Sequence, residues 1–408
     1  MYDLVIRNGI VLDPGQGIQA AKDVAVTGGR IAAVLEPGAE AVAKHTLDVR
    51  GLYVVPGLID LHVHVFSGVT HYGIDVDPTC LARGVTTVLD AGSAGALTFP
   101  GFRKFVIDVS RTRLYALLNI SALGLVSGSE TVPPLGELED LRYVDVGTAV
   151  KMIEKHRDRI LGVKVRLSDF LAADGKNEIP ALLRAREAAE AVRLPLMVHS
   201  PLSSIPTERI LDQLRPGDIL THCVHGHGAG GIMDDDMKVL PAVRKKVEQG
   251  LHLDVGHGRG SFTFQVARAA LEQGVVPGSI SSDLHTYNLQ GPVFDLVTTM
   301  DKFLHLGMEL YEVVRRVTST PAKVLGMPEE IGTLKPGAFA DIVVLEMQEG
   351  EFPLTDTFGL TETGHYHLEP RYIFRGGQQV GVLPRPESSG DYFEPPKIPR
   401  PKVEPDGH

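Results

Sequence analysis

From Pro56 to about Gly326 the sequence alternates short apolar runs with stretches of helical periodicity, and this alternation limits the fold more than any other feature. The apolar runs fall at 58–65, 86–91, 114–121, 161–167, 195–199, 219–223, 252–255 and 280–283. Helical stretches lie between them, such as 179–192 with Pro180 near its start, 239–249, and 264–273 closed by Gly274. Strands that are apolar on both faces and separated by helices belong in a parallel sheet. Eight such units in about 270 residues fit a closed ring better than an open sheet. The expected fold class is therefore α/β, with a (β/α)8 TIM barrel over residues 57–329.

The flanks read differently. Over residues 1–56, apolar runs are joined by Asn8-Gly9 and Gly28-Gly29, which are hairpin signals. β signals return over 330–383, with a strand from Ala340 and a second Gly-Gly turn at Gly376-Gly377. Three or four N-terminal strands alone would leave edges and one face uncovered, so both chain ends are expected to build one small discontinuous β-sandwich domain. Residues 384–408 are proline-rich and are expected to be extended or disordered, or to wrap along a neighbour.

Composition narrows the partners. Forty Lys and Arg against fifty-one Asp and Glu leave a net charge of −11, which disfavours nucleic acid or an anionic membrane surface. No apolar run approaches the length of a membrane-spanning helix, and the first residues lack a signal-peptide pattern, so a cytoplasmic protein acting on a small molecule is expected. Cys80 and Cys223 are too few for a disulfide framework. The unusual count is sixteen histidines.

Their placement points to metal chemistry. Asp60-Leu61-His62-Val63-His64 closes the first barrel strand, and alternation puts His62 and His64 on the same side. His199 closes the fifth strand, His222 the sixth and Asp283 the eighth, while Lys164 lies inside the apolar fourth. In a (β/α)8 barrel these strand ends converge at the active face. A Lys in an apolar strand is costly as a cation, and its amine is expected to be neutral. A neutral amine can add carbon dioxide and become a carbamate suited to bridging two cations. The plainer alternative is an ammonium paired with a buried carboxylate.

With these residues in place, the sequence resembles the binuclear amidohydrolase superfamily, which includes dihydroorotases and hydantoinases. The resemblance rests on Val55-Pro56-Gly57-Leu58-Ile59-Asp60-Leu61-His62-Val63-His64, on Lys164, His199, His222 and Asp283 in order, and on Gly332-Thr333-Leu334-Lys335-Pro336-Gly337 followed by Ala340-Asp341. It implies two divalent metal ions: one held by His62, His64 and Asp283, the other by His199 and His222, with N6-carboxylated Lys164 between them. Zinc suits four histidines, although iron, manganese and cobalt accept the same donors. The implied mechanism is attack on an acyl carbon by a metal-bridging hydroxide, with Asp283 as the general base.

Substrate is less legible. Dihydroorotases usually carry an Arg two residues after the second His, where this chain has Phe66. The segments Gly162-Val163-Lys164-Val165-Arg166, Asp254-Val255-Gly256-His257-Gly258 and Ser282-Asp283-Leu284-His285 resemble a deacetylase branch, which implies removal of acetyl groups from small carboxylates as amides or esters. Arg166 faces the same side as Lys164 and could grip a carboxylate, or else a rim Asp or Glu. His257, Tyr72 and Asn119 are further substrate-binding candidates. His225 and His227 read as solvated loop residues, and His365 and His367 as surface residues. A cyclic amidase, a purine deaminase and a non-catalytic scaffold are the competing readings, and a homo-oligomer is possible for any of them.

Overall fold

The computed structural model describes residues 1–126, 135–228 and 230–388. The tail expected over 384–408 lies outside the described residues from 389 onward. Two sheets organise the chain. The first contains β1 (Tyr2–Asp13), β2 (Ile18–Thr27), β3 (Arg30–Leu35), β4 (Ala43–Asp48) and β5 (Tyr53–Pro56). The second is parallel and contains β6 (Leu58–Val63), β7 (Val85–Gly95), β8 (Arg113–Asn119), β9 (Ile160–Arg166), β10 (Leu196–His199), β11 (Ile219–Thr221) and β12 (His252–Leu253). The chain then returns to the first sheet with β13 (Ile342–Thr355), β14 (Thr361–Arg375) and β15 (Gln378–Val380).

The first sheet runs β15-β14-β13-β5-β1-β2-β3, with β4 paired to β1, so strands from both chain ends share one hydrogen-bonded path. The two-residue period divides its side chains between two cores. Val54, Ile342 and Val344 pack with Val11, Val24 and Ile31, while Val55, Val343 and Leu345 pack into the large core shared with the parallel sheet. Asn8-Gly9 is not the expected hairpin turn. It is a bulge inside a continuous β1, with Asn8 at φ 63° and the register shifting between Ile6 and Gly9. Apolar residues on both sides of it pair with β2, so the chain kinks without reversing.

The parallel sheet is curled, in sequence order β6 to β12. The eighth apolar run does not form a named strand. Instead Ser279 bridges Asp254 and Leu284 bridges Val63, which ties the segment to both edges. Asp283 sits at φ 48° and breaks the extended backbone. Side-chain oxygens supply the missing ladder: Ser279 and Ser281 donate to Asp254, and Ser282 donates to Asp60. Asp60 also accepts from the backbone of His62 and Ser282, and so fastens the first strand to the eighth segment.

His367 is not a surface residue, although His365 is exposed. His367 Nδ1 lies 2.7 Å from Asp301 on the helix Leu296–His305, and its Nε2 lies 3.3 Å from Glu369. Burial alone would lower its pKa, but bonds to the two carboxylates raise it to about 9. Its folded pKa therefore exceeds the ordinary value, so the stability it confers is complete below about pH 6.5 and is lost as pH rises through about 9. His367→Gln is expected to cost about 2–3 kcal/mol near neutrality. Urea unfolding of both proteins at rising pH should show that gap narrowing, and a constant gap would refute the ion-pair account.

Candidate metal centre and active site

The C-terminal ends of the parallel strands open into a cavity of about 550 Å³. His62, His64, Lys164, His199, His222 and Asp283 all line it, drawn from β6 and the residue after it, β9, β10, the residue after β11, and the eighth segment. Two of them are held in left-handed backbone conformations that non-glycine residues seldom adopt, His222 at φ 61° and Asp283 at φ 48°. Strain of this kind persists where surrounding bonds over-determine it. Here the Asn288 amide donates to the Asp283 carbonyl at 2.8 Å, and His222 Nδ1 donates to the Gly256 carbonyl at 2.6 Å.

Hydrogen bonds fix where each imidazole carries its proton. Thr221 Oγ1 spends its own proton on Asp254, so it accepts from His62 Nδ1 at 2.9 Å. His64 Nδ1 lies 2.9 Å from the Ser93 hydroxyl, and the Ser93 backbone N–H donates to Asp90 at 2.7 Å. Ser168 donates to the Pro201 carbonyl and so accepts from His199 Nε2 at 3.1 Å. Each of the four rings is left with one bare nitrogen lone pair, the form a metal ligand needs. Burial supports this by driving all four pKa values down, that of His64 to about 3.

His62 Nε2 and His64 Nε2 converge on Asp283 Oδ1 at 3.4 and 3.2 Å, and the ligand atoms of this trio lie within 4.8 Å of one another. Asp283 Oδ1 is buried and receives no hydrogen bond. A carboxylate oxygen facing two lone pairs with no proton between them is unfavourable unless a cation joins them, so this donor set fits a divalent ion. His199 and His222 stand beside it, their ring centroids 4.5 Å apart.

Lys164 is fully buried, with Nζ 3.5 Å from His62 Nε2 and 3.2 Å from the Met197 sulfur. Burial lowers its pKa to about 7, despite the opposing carboxylates of Asp283 and Asp254. Gly92 makes room for it: a Cβ there would sit 2.7 Å from Lys164 Cβ. Asp283 is likewise pushed up to about 6 by burial, against the pull of His285 and Lys164.

The other expected residues divide. Tyr72 and Arg166 line the cavity, with the guanidinium 5.5 Å from the Tyr72 ring and Arg166 Nε 3.4 Å from buried Glu137. His257 lies behind the wall, bonded to Gly258 and Lys302 and stacked on Phe262. Asn119 bonds to Gly92 and Ser121 and does not reach the cavity. His225 is buried, and His227 lines the cavity with Nε2 on the Gly260 carbonyl, so neither is a solvated loop residue. Sequence reasoning missed Arg259, in Gly258-Arg259-Gly260, and gave no role to His285 and Tyr287, all of which line the cavity. The signal available was their position just past the seventh and eighth apolar runs.

This cavity at the end of a curled parallel sheet, lined by a His-His-Asp group that could hold a metal ion, fits a metal-dependent hydrolase. The chain belongs to the amidohydrolase family, whose model matches residues 53–367. It is an enzyme acting on carbon–nitrogen bonds. A deacetylase of Agrobacterium fabrum is 35% identical over 365 residues, covering 89% of this chain and 88% of that protein. Among solved structures, one described as an adenine deaminase superposes with a TM-score of 0.84 at 34% identity, covering 93% of this chain and 100% of the other. One described as a dihydroorotase gives 0.82 at 33% identity, covering 92% and 98%. No helix among the described residues is long and apolar enough to cross a membrane.

Proposed function

We propose that this enzyme removes an acetyl group, held as an amide or ester, from a small carboxylate-bearing substrate. The observation that carries the reading is the orphaned Asp283 Oδ1 facing His62 and His64 in a cavity that also holds buried Arg166. His62, His64 and Asp283 would hold one divalent ion and His199 and His222 a second, both zinc, with N6-carboxylated Lys164 shared between them. Such ions, when bound, acidify water and polarise a carbonyl.

The protein's own groups do the rest. Asp283 Oδ2 lies beside Gly258, where a Cβ would approach it to 2.5 Å, and this oxygen is free to take the proton of the attacking water and pass it to the leaving amine or alkoxide. Glu137 pairs with Arg166 Nε at 3.4 Å, and the guanidinium, which also faces Tyr72, stands at the cavity where a substrate carboxylate would meet it. The fold that goes with this reading is a closed eight-stave barrel over 57–329, with residues 1–56 and 330–383 as a second domain. The bonds of 279–284 to both sheet edges support it.

Cyclic-amide opening and purine deamination form the second reading, favoured by what the two solved relatives are described as. Against dihydroorotase activity stands Phe66, which is buried against Phe102, 4.7 Å away, instead of offering a cation to the cavity. A hydrolysis screen of N-acetyl and O-acetyl carboxylates, with dihydroorotate, hydantoins and adenine as controls, separates the readings. Turnover of the controls alone would overturn the proposal, as would fewer than about one tightly bound metal ion per purified chain. Arg166→Met is expected to raise KM about 10- to 100-fold for carboxylate-bearing substrates and little for neutral esters. Equal effects on both would refute the carboxylate clamp.

A further inference from the structure

Lys302 is wholly buried on the helix Leu296–His305, yet its three hydrogen bonds go to neutral acceptors: His257 Nε2 at 2.7 Å, the Pro292 carbonyl at 2.8 Å and the Thr355 carbonyl at 2.7 Å. Burial lowers its pKa to about 7, and when it is protonated these three acceptors take all three of its protons. His257 can accept because its Nδ1 proton goes to the Gly258 carbonyl at 2.9 Å. A methionine would fill the same volume without the cost of desolvating a charge. What the ammonium adds is a tie among the loop after β12, the segment after the eighth apolar run, and β13 of the other sheet.

The tie ends where the cavity wall begins. Residues 258–261 run between His257 and Phe262, and Arg259, Gly260 and Ser261 line the cavity. Two of these four residues are glycines, which alone would leave the wall loose. Both of its ends are held from outside the parallel sheet. The His257 ring stacks on Phe262 at 4.5 Å, with Lys302 Nζ 5.6 Å from the same Phe262 ring. The Phe262 carbonyl accepts from the backbone and hydroxyl of Thr357, at the tip of the β13–β14 hairpin, at 3.1 and 2.6 Å.

We propose that Lys302 is a positioning residue: through His257 it fixes the 258–261 wall, so that Gly258 stays against Asp283 and Arg259 is presented to the part of the substrate beyond the scissile bond. This rests on the hydrolase reading above. The hairpin of the small sheet is then part of the active-site support, and the two sheets are coupled through one buried ammonium.

The test uses the full-length, metal-loaded enzyme with Lys302→Met, His257→Leu and His257→Gln, the last of which restores an acceptor for the ammonium. Amide hydrogen exchange is read over 256–262 and over the helix Leu296–His305, together with metal content, kcat and KM. Lys302→Met and His257→Leu are expected to speed exchange about tenfold over 256–262 while the helix stays protected. They should lower kcat about 100-fold with metal content unchanged, and His257→Gln should recover most of both losses. If Lys302→Met does not fold, the His257 pair decides alone. Wild-type exchange and kcat in His257→Leu would overturn the proposal, as would a His257→Gln no better than His257→Leu, or metal loss in either variant. If the wild-type enzyme cleaves none of the screened substrates, the hydrolase reading falls, while the exchange data still decide whether Lys302 holds the wall.

Discussion

Lys164→Ala is expected to lower metal content to at most about one ion per chain and to cut kcat by about three orders of magnitude or more. Lys164 has no exposed surface, and its nearest polar neighbours are a lone-pair nitrogen of His62 and a thioether sulfur, neither of which neutralises a cation. Its pKa of about 7 leaves a substantial neutral fraction at physiological pH. That amine can attack carbon dioxide, forming a C–N bond and releasing a proton, and the product is an anion placed among four neutral histidines. Truncation to alanine would remove the proposed carbamate and open a hole beside Gly92 and Met197. Acetate or propionate fits such a hole, so millimolar amounts should restore part of both activity and metal content, whereas Lys164→Met, which keeps the hole filled, should not respond. Unchanged metal content in Lys164→Ala would refute the bridge outright.

Legibility in the sequence followed the range of the interactions involved. The meeting of these residues in one cavity was legible because strand alternation and the rule for strand ends are local: His62 and His64 are two apart, and His199, His222 and Asp283 lie at the ends of apolar runs. Arg166 was legible by the same alternation from Lys164, although its partner Glu137 was not, since nothing local joins residues 137 and 166. The placement of His257 failed because its partner is on a helix forty-five residues later. His367 failed for the same reason: Asp301, on that helix, keeps it from the surface. The Asn8-Gly9 bulge shows that a turn signal decides nothing when the strands on both sides already have a common partner. The long β13–β14 hairpin was read only at its two ends. Its middle is exposed and polar, and its tip earns its place by contacts with Phe262 and Phe264 that are remote in sequence.

Asp283→Asn is expected to separate stability from activity in opposite directions. With metal bound, the variant should lose about 10²–10⁴-fold in kcat, because the amide can neither take a proton at Oδ2 nor supply a negative charge opposite His62 and His64. Its fold should survive: the Asn288 amide holds the residue through its backbone carbonyl, and Gly258 N donates to the Ser282 carbonyl at 3.0 Å. In protein stripped of metal by a chelator the sign reverses. Burial raises the Asp283 pKa from 3.8 to about 6, so this group's contribution to stability is present below pH 4 and is lost as pH rises through 6. At pH 7 to 8 the metal-free wild type therefore keeps a buried charge that the variant lacks, and the variant should be the more stable by about 1–3 kcal/mol. That advantage should vanish below about pH 4, where the wild-type carboxyl is also neutral. Adding zinc should stabilise the wild type by more than the variant and restore the ordinary order. Denaturant melts of both proteins, with and without metal and across that pH range, test each sign separately. A metal-free variant less stable than wild type at pH 7 would mean that Asp283 is satisfied by the protein itself, and the claim that its Oδ1 awaits a cation would fall.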